Sequence, residues 1–97
     1  MREETRKYLL YIKENLSFLL DVHRYSIERI SRETGIDQKA FRSFVNGEDL
    51  SVMDMDEFIR ISYALNTPLY WLLLSPAELR DKAEQKYGKP PRVSSPD

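Results

Sequence analysis

The chain contains no cysteine, one histidine and three glycines among its 97 residues. Without thiols it has no disulfides and no thiolate ligands for a metal. With His23 alone, it lacks the imidazole sets that metal centres and Ser-His-Asp hydrolases draw on, and His23 reads as a loop or helix-end residue. Asp54, Asp56 and Glu57 lie close together but lack the glycine and glutamate spacing of an EF-hand, so they read as a solvated helix start. No nucleophile–base pair stands out, so no enzyme is expected, and no cofactor or metal. Few glycines, with little Val or Thr, argue against the recurring turns of a β-rich fold. The longest apolar run, Leu69 to Leu74, is six residues, against about 20 needed to span a bilayer. No membrane partner is therefore expected. The charged opening Met1-Arg2-Glu3-Glu4 is unlike a secretion signal, and the expected location is cytoplasmic.

Charge of one sign is missing too. Fifteen basic residues stand against 16 acidic ones, a net charge of −1, whereas many nucleic-acid binders are plainly basic. The distribution is uneven. Residues 24–46 hold five basic residues (Arg24, Arg29, Arg32, Lys39, Arg42) and three acidic ones (Glu28, Glu33, Asp37). Residues 47–68 hold only Arg60 against Glu48, Asp49, Asp54, Asp56 and Glu57.

What the sequence does have is helical periodicity. From about Glu3 to Val22 there is no Gly or Pro, and Leu9, Ile12, Leu16 and Leu19/Leu20 recur at steps of three and four. Tyr8, Tyr11 and Phe18 widen that apolar surface, which fits a core helix with aromatic edges or a second face for a partner. After a break at His23-Arg24-Tyr25, Ser26 reads as an N-cap. A helix with Ile27 and Ile30 inward runs to Thr34, and Gly35 turns the chain. Ile36 is a buried anchor in the turn, and Asp37 caps a next helix whose inner face is Phe41, Phe44 and Val45. That helix ends at Asn46-Gly47. Asp54 or Ser51 caps a fourth helix with Met55, Phe58, Ile59, Ser62 and Leu65 at helical spacing, and Met53 and Met55 read as core or core-edge fillers. Pro68 closes it and opens a short apolar helix over Leu69–Leu74, expected to be buried on several sides. Ser75-Pro76-Ala77-Glu78 starts a last helix, which ends before Gly88. The Pro- and Ser-rich residues 89–97 read as a disordered tail.

Two helices of about eight or nine residues joined by a Gly35-containing turn match the spacing of a helix-turn-helix from Ser26 to Asn46. In such a motif the second helix enters the major groove with its N-terminal residues at base edges. Its outer face here begins Gln38-Lys39. Gln pairs bidentately with adenine, Lys donates to guanine, and Ala40 suits a thymine methyl. Arg42 and Ser43 lie one turn on. Arg24, Arg29 and Arg32 are the nearest basic candidates for contacts to the DNA backbone, with Ser26 at the start of the first helix.

Three segments carry a family resemblance. They are Ser26-Ile-Glu-Arg-Ile-Ser-Arg-Glu-Thr-Gly35, Ile36-Asp-Gln-Lys-Ala-Phe-Arg-Ser-Phe-Val-Asn-Gly47 and Ala64-Leu-Asn-Thr-Pro-Leu-Tyr-Trp-Leu-Leu73. Together they resemble the Cro/phage-repressor type of helix-turn-helix DNA-binding domain (lambda-repressor-like, XRE family), over Ile12 to Leu74. The resemblance implies an all-α, compact five-helix domain, here over residues 1–74; the helix over 75–88 and the tail over 89–97, read from the residues above, then stand as an extension. It implies a transcriptional regulator, a repressor of phage, plasmid or bacterial type, binding double-stranded operator half-sites as a homodimer. By position it implies base reading by Gln38, Lys39 and Ser43, flanked by Ala40 and Arg42, and a phosphate contact at Asn46. It sets Tyr70 and Trp71 near a dimer or partner surface, whereas their place on a short apolar helix reads as core.

The departures from that pattern are specific. Ile27 stands where the family has a phosphate-contacting Gln, and Ser31 where a small Ala is usual. Leu20 and Val45 replace an Arg–Glu pair together, a joint change that folding tolerates. The loop after Gly47, basic in many relatives, is acidic here over 48–57, which works against phosphate neutralisation. An alternative therefore stands beside the regulator: a protein-binding antirepressor or adaptor on the same fold, with weak or no DNA binding.

Overall fold

The computed structural model describes residues 1–88; the expected tail over 89–97 lies outside the described residues. Five α-helices and one short 3-10 helix follow one another: α1 (Glu3–His23), α2 (Ile27–Thr34), α3 (Gln38–Val45), α4 (Met55–Ala64), the 3-10 helix (Leu69–Leu73) and α5 (Pro76–Tyr87). Among the described residues there is no strand, so the chain is all-α. Among the described residues no helix is long and apolar enough to cross a membrane.

Local chemistry sets the helix ends. Ser26 accepts the Arg29 amide, Asp37 that of Ala40, and Asp54 and Ser75 each form a capping box with Glu57 and Glu78. Such caps satisfy amides that the helix itself leaves free. Arg24 (φ 57°) and Asn66 (φ 51°) end α1 and α4 in left-handed backbone, and Gly35 (φ 75°) ends α2. Beyond α3 it is Gly47, at φ 78°, that takes the left-handed turn, while Asn46 stays right-handed at −80°.

The interior is one cluster built on α1. Leu16, Leu19, Ile30, Phe41, Phe44, Ile61, Leu72 and Leu79 have no exposed surface. Because Leu79 is among them and α5 packs on α1, residues 75–88 share the core of the preceding helices. Asn15 is a polar residue inside this interior. Its side-chain amide donates to the carbonyls of Leu72 (2.9 Å) and Leu74 (2.7 Å), tying the 3-10 helix to α1.

Three expectations need correcting. Met55 is exposed and Ile61 takes the buried position, because α4 is rotated so that Phe58, Ile61 and Ser62 face inward. The Leu69–Leu73 segment buries only Trp71 and Leu72 fully, leaving Tyr70 and Leu73 exposed; a 3-10 helix stacks every third side chain and cannot bury all sides. Trp71, expected at a partner surface, is 6 % exposed and belongs to the core. Ile27 and Val45 are half-buried at the core's edge.

Candidate nucleic-acid interface

The α2–α3 pair is positioned by its inner faces. Ile30 on α2 and Phe41 and Phe44 on α3 are fully buried, and Ile36 at the turn is almost so. Buried Thr34 closes the turn: its hydroxyl donates to the Ile30 carbonyl at 2.6 Å and accepts the Ile36 amide at 3.3 Å. From α4, Arg60 donates to the Thr34 carbonyl at 2.7 Å and so holds the end of α2. With its inner positions locked, α3 presents a fixed outer face. Gln38, Lys39 and Arg42 on that face are exposed, and Ala40 and Ser43 are half-buried beside them.

Some of the charges around this face are paired with one another. Arg42 lies 3.6 Å from Glu28 on α2. The Ser43 hydroxyl is 3.4 Å from the Glu48 carboxylate, and the Glu48 amide donates to the Ser43 carbonyl at 2.9 Å. The acidic loop therefore folds back onto the last turn of α3. Within that loop the Ser51 hydroxyl and amide both donate to Asp49, holding its carboxyl below the ordinary value and thus charged. Arg29 bonds Glu33 at 2.9 Å and has its guanidinium carbon over the Tyr25 ring, 3.7 Å from its centre. Arg24, Arg32 and Lys39 are exposed and make no ion pair among the described residues. Ser26 is spent partly on its cap, and Asn46 is exposed at the end of α3.

Lys13 is a cation that its sequence context does not single out. A Cβ at Gly47 would sit 2.9 Å from its side chain, so Lys13 lies directly against the turn that follows α3. It also pairs with Glu14 at 3.1 Å. Nothing local signals this contact, since it joins α1 to a turn more than thirty residues away.

Among the described residues, no three His, Asp or Glu side chains converge as a metal site. The arrangement offers hydrogen-bond donors on the outer face of α3 and three cations, Arg24, Arg32 and Lys39, that have no ion pair among the described residues, with carboxylates nearby. Comparison with protein-family models, curated proteins and solved structures finds no match.

Proposed function

We propose that this chain is a sequence-specific DNA-binding transcriptional regulator with a lambda-repressor-like arrangement, α3 being the helix that enters the major groove. One observation carries the reading. The helix α3 is held from behind by Phe41, Phe44 and the α2 brace, while Gln38 and Lys39 stand exposed at its N-terminal end. Side chains at that end are the ones that reach base edges when such a helix docks. In this reading Gln38 and Lys39 read bases, with Ser43 and Ala40 flanking them. Arg24, Arg32 and Lys13 bear on phosphates, and Ser26 and Asn46 offer neutral contacts. Two copies engage two half-sites.

The test is a selection from random duplexes with the full chain, followed by anisotropy titrations of the selected duplex at several salt concentrations. A binding constant that falls as salt rises, with a consensus the protein prefers, upholds the reading. No enrichment, and no salt-sensitive binding at micromolar protein, would falsify it.

A second reading rests on the pairing of Arg42 with Glu28, Arg29 with Glu33 and Ser43 with Glu48. With these groups already held by carboxylates, the fold serves as a protein-binding antirepressor or adaptor. Alanine at Gln38 and Lys39 separates the two, because only a DNA reader loses sequence preference.

A further inference from the structure

Outside the α2–α3 face, the least explained surface is the outer side of α4. Met55 is 54 % exposed and Tyr63 is 83 % exposed. Ile59, half-buried, lies midway between them, and the spacing of four puts all three on one stripe. Beside Tyr63 the stripe opens into a groove of about 520 Å³ lined by Ile59, Ser62, Pro68, Leu69 and Lys86. Tyr63 thus stands clear of the core on a helix whose opposite side is buried.

The ends of the stripe have opposite charge. At the start of α4 stand exposed Asp54 and Asp56 together with the capping Glu57; Asp56 also bonds Arg60 of its own helix at 3.0 Å, and three carboxylates against that one cation leave this end acidic. At the far end Lys86 donates to the Asn66 carbonyl at 3.3 Å and borders the groove. The helix dipole adds to the same polarity, because the unpaired carbonyls lie at the Lys86 end and attract cations. We propose that this face binds a second copy of the chain, the two α4 helices lying antiparallel across a two-fold axis near Ile59.

The pattern is self-complementary, as a two-fold interface requires. Reversal about Ile59 sets Met55 of one copy opposite Tyr63 of the other. A flexible methionine then enters the apolar groove beside an aromatic ring, a contact its thioether suits. The same reversal brings the acidic start of each α4 to the Lys86 end of its partner. A parallel arrangement would place acid against acid and leave Lys86 without a counter-charge. The inference rests on the dimeric part of the proposed function and replaces Tyr70 and Trp71 with this stripe as the contact.

Sedimentation equilibrium on the full chain, from about 1 to several hundred micromolar, tests it. A reversible dimer is expected. Tyr63→Asp, at a site that adds nothing to the core, should weaken it by about tenfold or more with unchanged thermal melting. Asp56→Lys and Lys86→Glu should each weaken it several-fold, and the double variant should recover most of the loss. Within one chain Asp56 and the Asn66 end are ten residues apart, or about 15 Å along the helix. Recovery therefore reports contact between copies. A monomer throughout, or a dimer indifferent to Tyr63→Asp and to the paired reversal, overturns the proposal. Titration of a single half-site with monomer keeps the two readings apart. A dimer that responds as described but binds no half-site supports this surface and sinks DNA reading alone.

Discussion

The helices α3 and α4 are built alike on the inside and differently on the outside. Each is short, capped by an aspartate, and buries a phenylalanine; Phe44 and Phe58 meet with ring centres 5.3 Å apart. Outward, α3 shows Gln38, Lys39 and Arg42, while α4 shows Met55, Asp56 and Tyr63. The core leaves these outer residues free to differ, and under the two proposals above each face answers to a different partner. A polar, partly cationic edge suits base and phosphate groups; an apolar stripe with acidic and basic ends suits a protein surface.

The largest effects should fall on what the two helices share. Phe44→Ala and Phe58→Ala each remove a ring from the same contact, and each should cost about 3–5 kcal/mol of stability in a denaturant titration. The double variant should cost less than the sum, since the second ring has already lost its neighbour. Simple additivity would show that the two inner faces are independent, and the common scaffold would then fail as a premise.

Next come the outer residues of α3. Alanine at Gln38 and Lys39 should each reduce binding to the selected duplex by about 1–3 kcal/mol relative to a scrambled one. Melting should not move, and neither should the dimer constant. Tyr63→Asp should show the reverse pattern, with the dimer lost and single half-site binding kept. If both variants changed both properties together, the assignment of one task to each face would be wrong.

These expectations draw on parts of the molecule that the sequence discloses unequally. The α2–α3 boundaries are legible because each has a local cause: Ser26 and Asp37 as caps, Gly35 and Gly47 at positive φ. The rotation of α4 is not. Met55, Phe58, Ile59 and Ser62 have helical spacing, but so do Phe58, Ile61, Ser62 and Leu65, and the choice belongs to contacts with α2 and the 3-10 helix. Asn15 was available to be read, as the one polar side chain on the stripe running through Ile12, Leu16 and Leu19; the carbonyls it serves lie more than fifty residues on. At the candidate site, the exposure of Gln38 and Lys39 follows from periodicity. The carboxylates facing Arg42 and Ser43 come from α2 and the loop, and only folding brings them there.

Smaller effects come from loosening those carboxylates. Glu28→Gln releases Arg42, and Glu48→Gln removes an anion from beside Ser43. Each should raise affinity for any duplex a few-fold at low salt, and freeing Arg42 should steepen the salt dependence by about one released counterion. Neither should alter the dimer. An unchanged salt dependence would mean that Arg42 points away from phosphate even when free.

The smallest effect concerns pH, and it falls on one side of the comparison only. His23 ends α1 with its Nε2 buried and without a partner among the described residues, packed edge-on against Tyr87 at 5.3 Å. Burial first, and the nearby Lys86 charge second, hold its pKa below the ordinary 6.5. The folded state therefore favours the neutral ring, and the unfolded chain takes up a proton first as pH falls. The stability His23 contributes is complete above 6.5 and declines as pH drops from there toward the lowered folded value. Below about pH 5 the carboxylates begin to titrate and mask it. Charging His23 also sets a second cation beside Lys86, which anchors the basic end of the α4 stripe but is remote in sequence from α3. Between pH 7 and 5.5 the melting temperature and the dimer constant should both fall slightly, with single half-site binding changed less. His23→Phe should flatten the first two without touching the third, because it removes the titrating group and keeps the ring against Tyr87. A dimer constant that keeps its pH dependence in His23→Phe would assign the effect to groups at the interface itself and detach His23 from the α4 face.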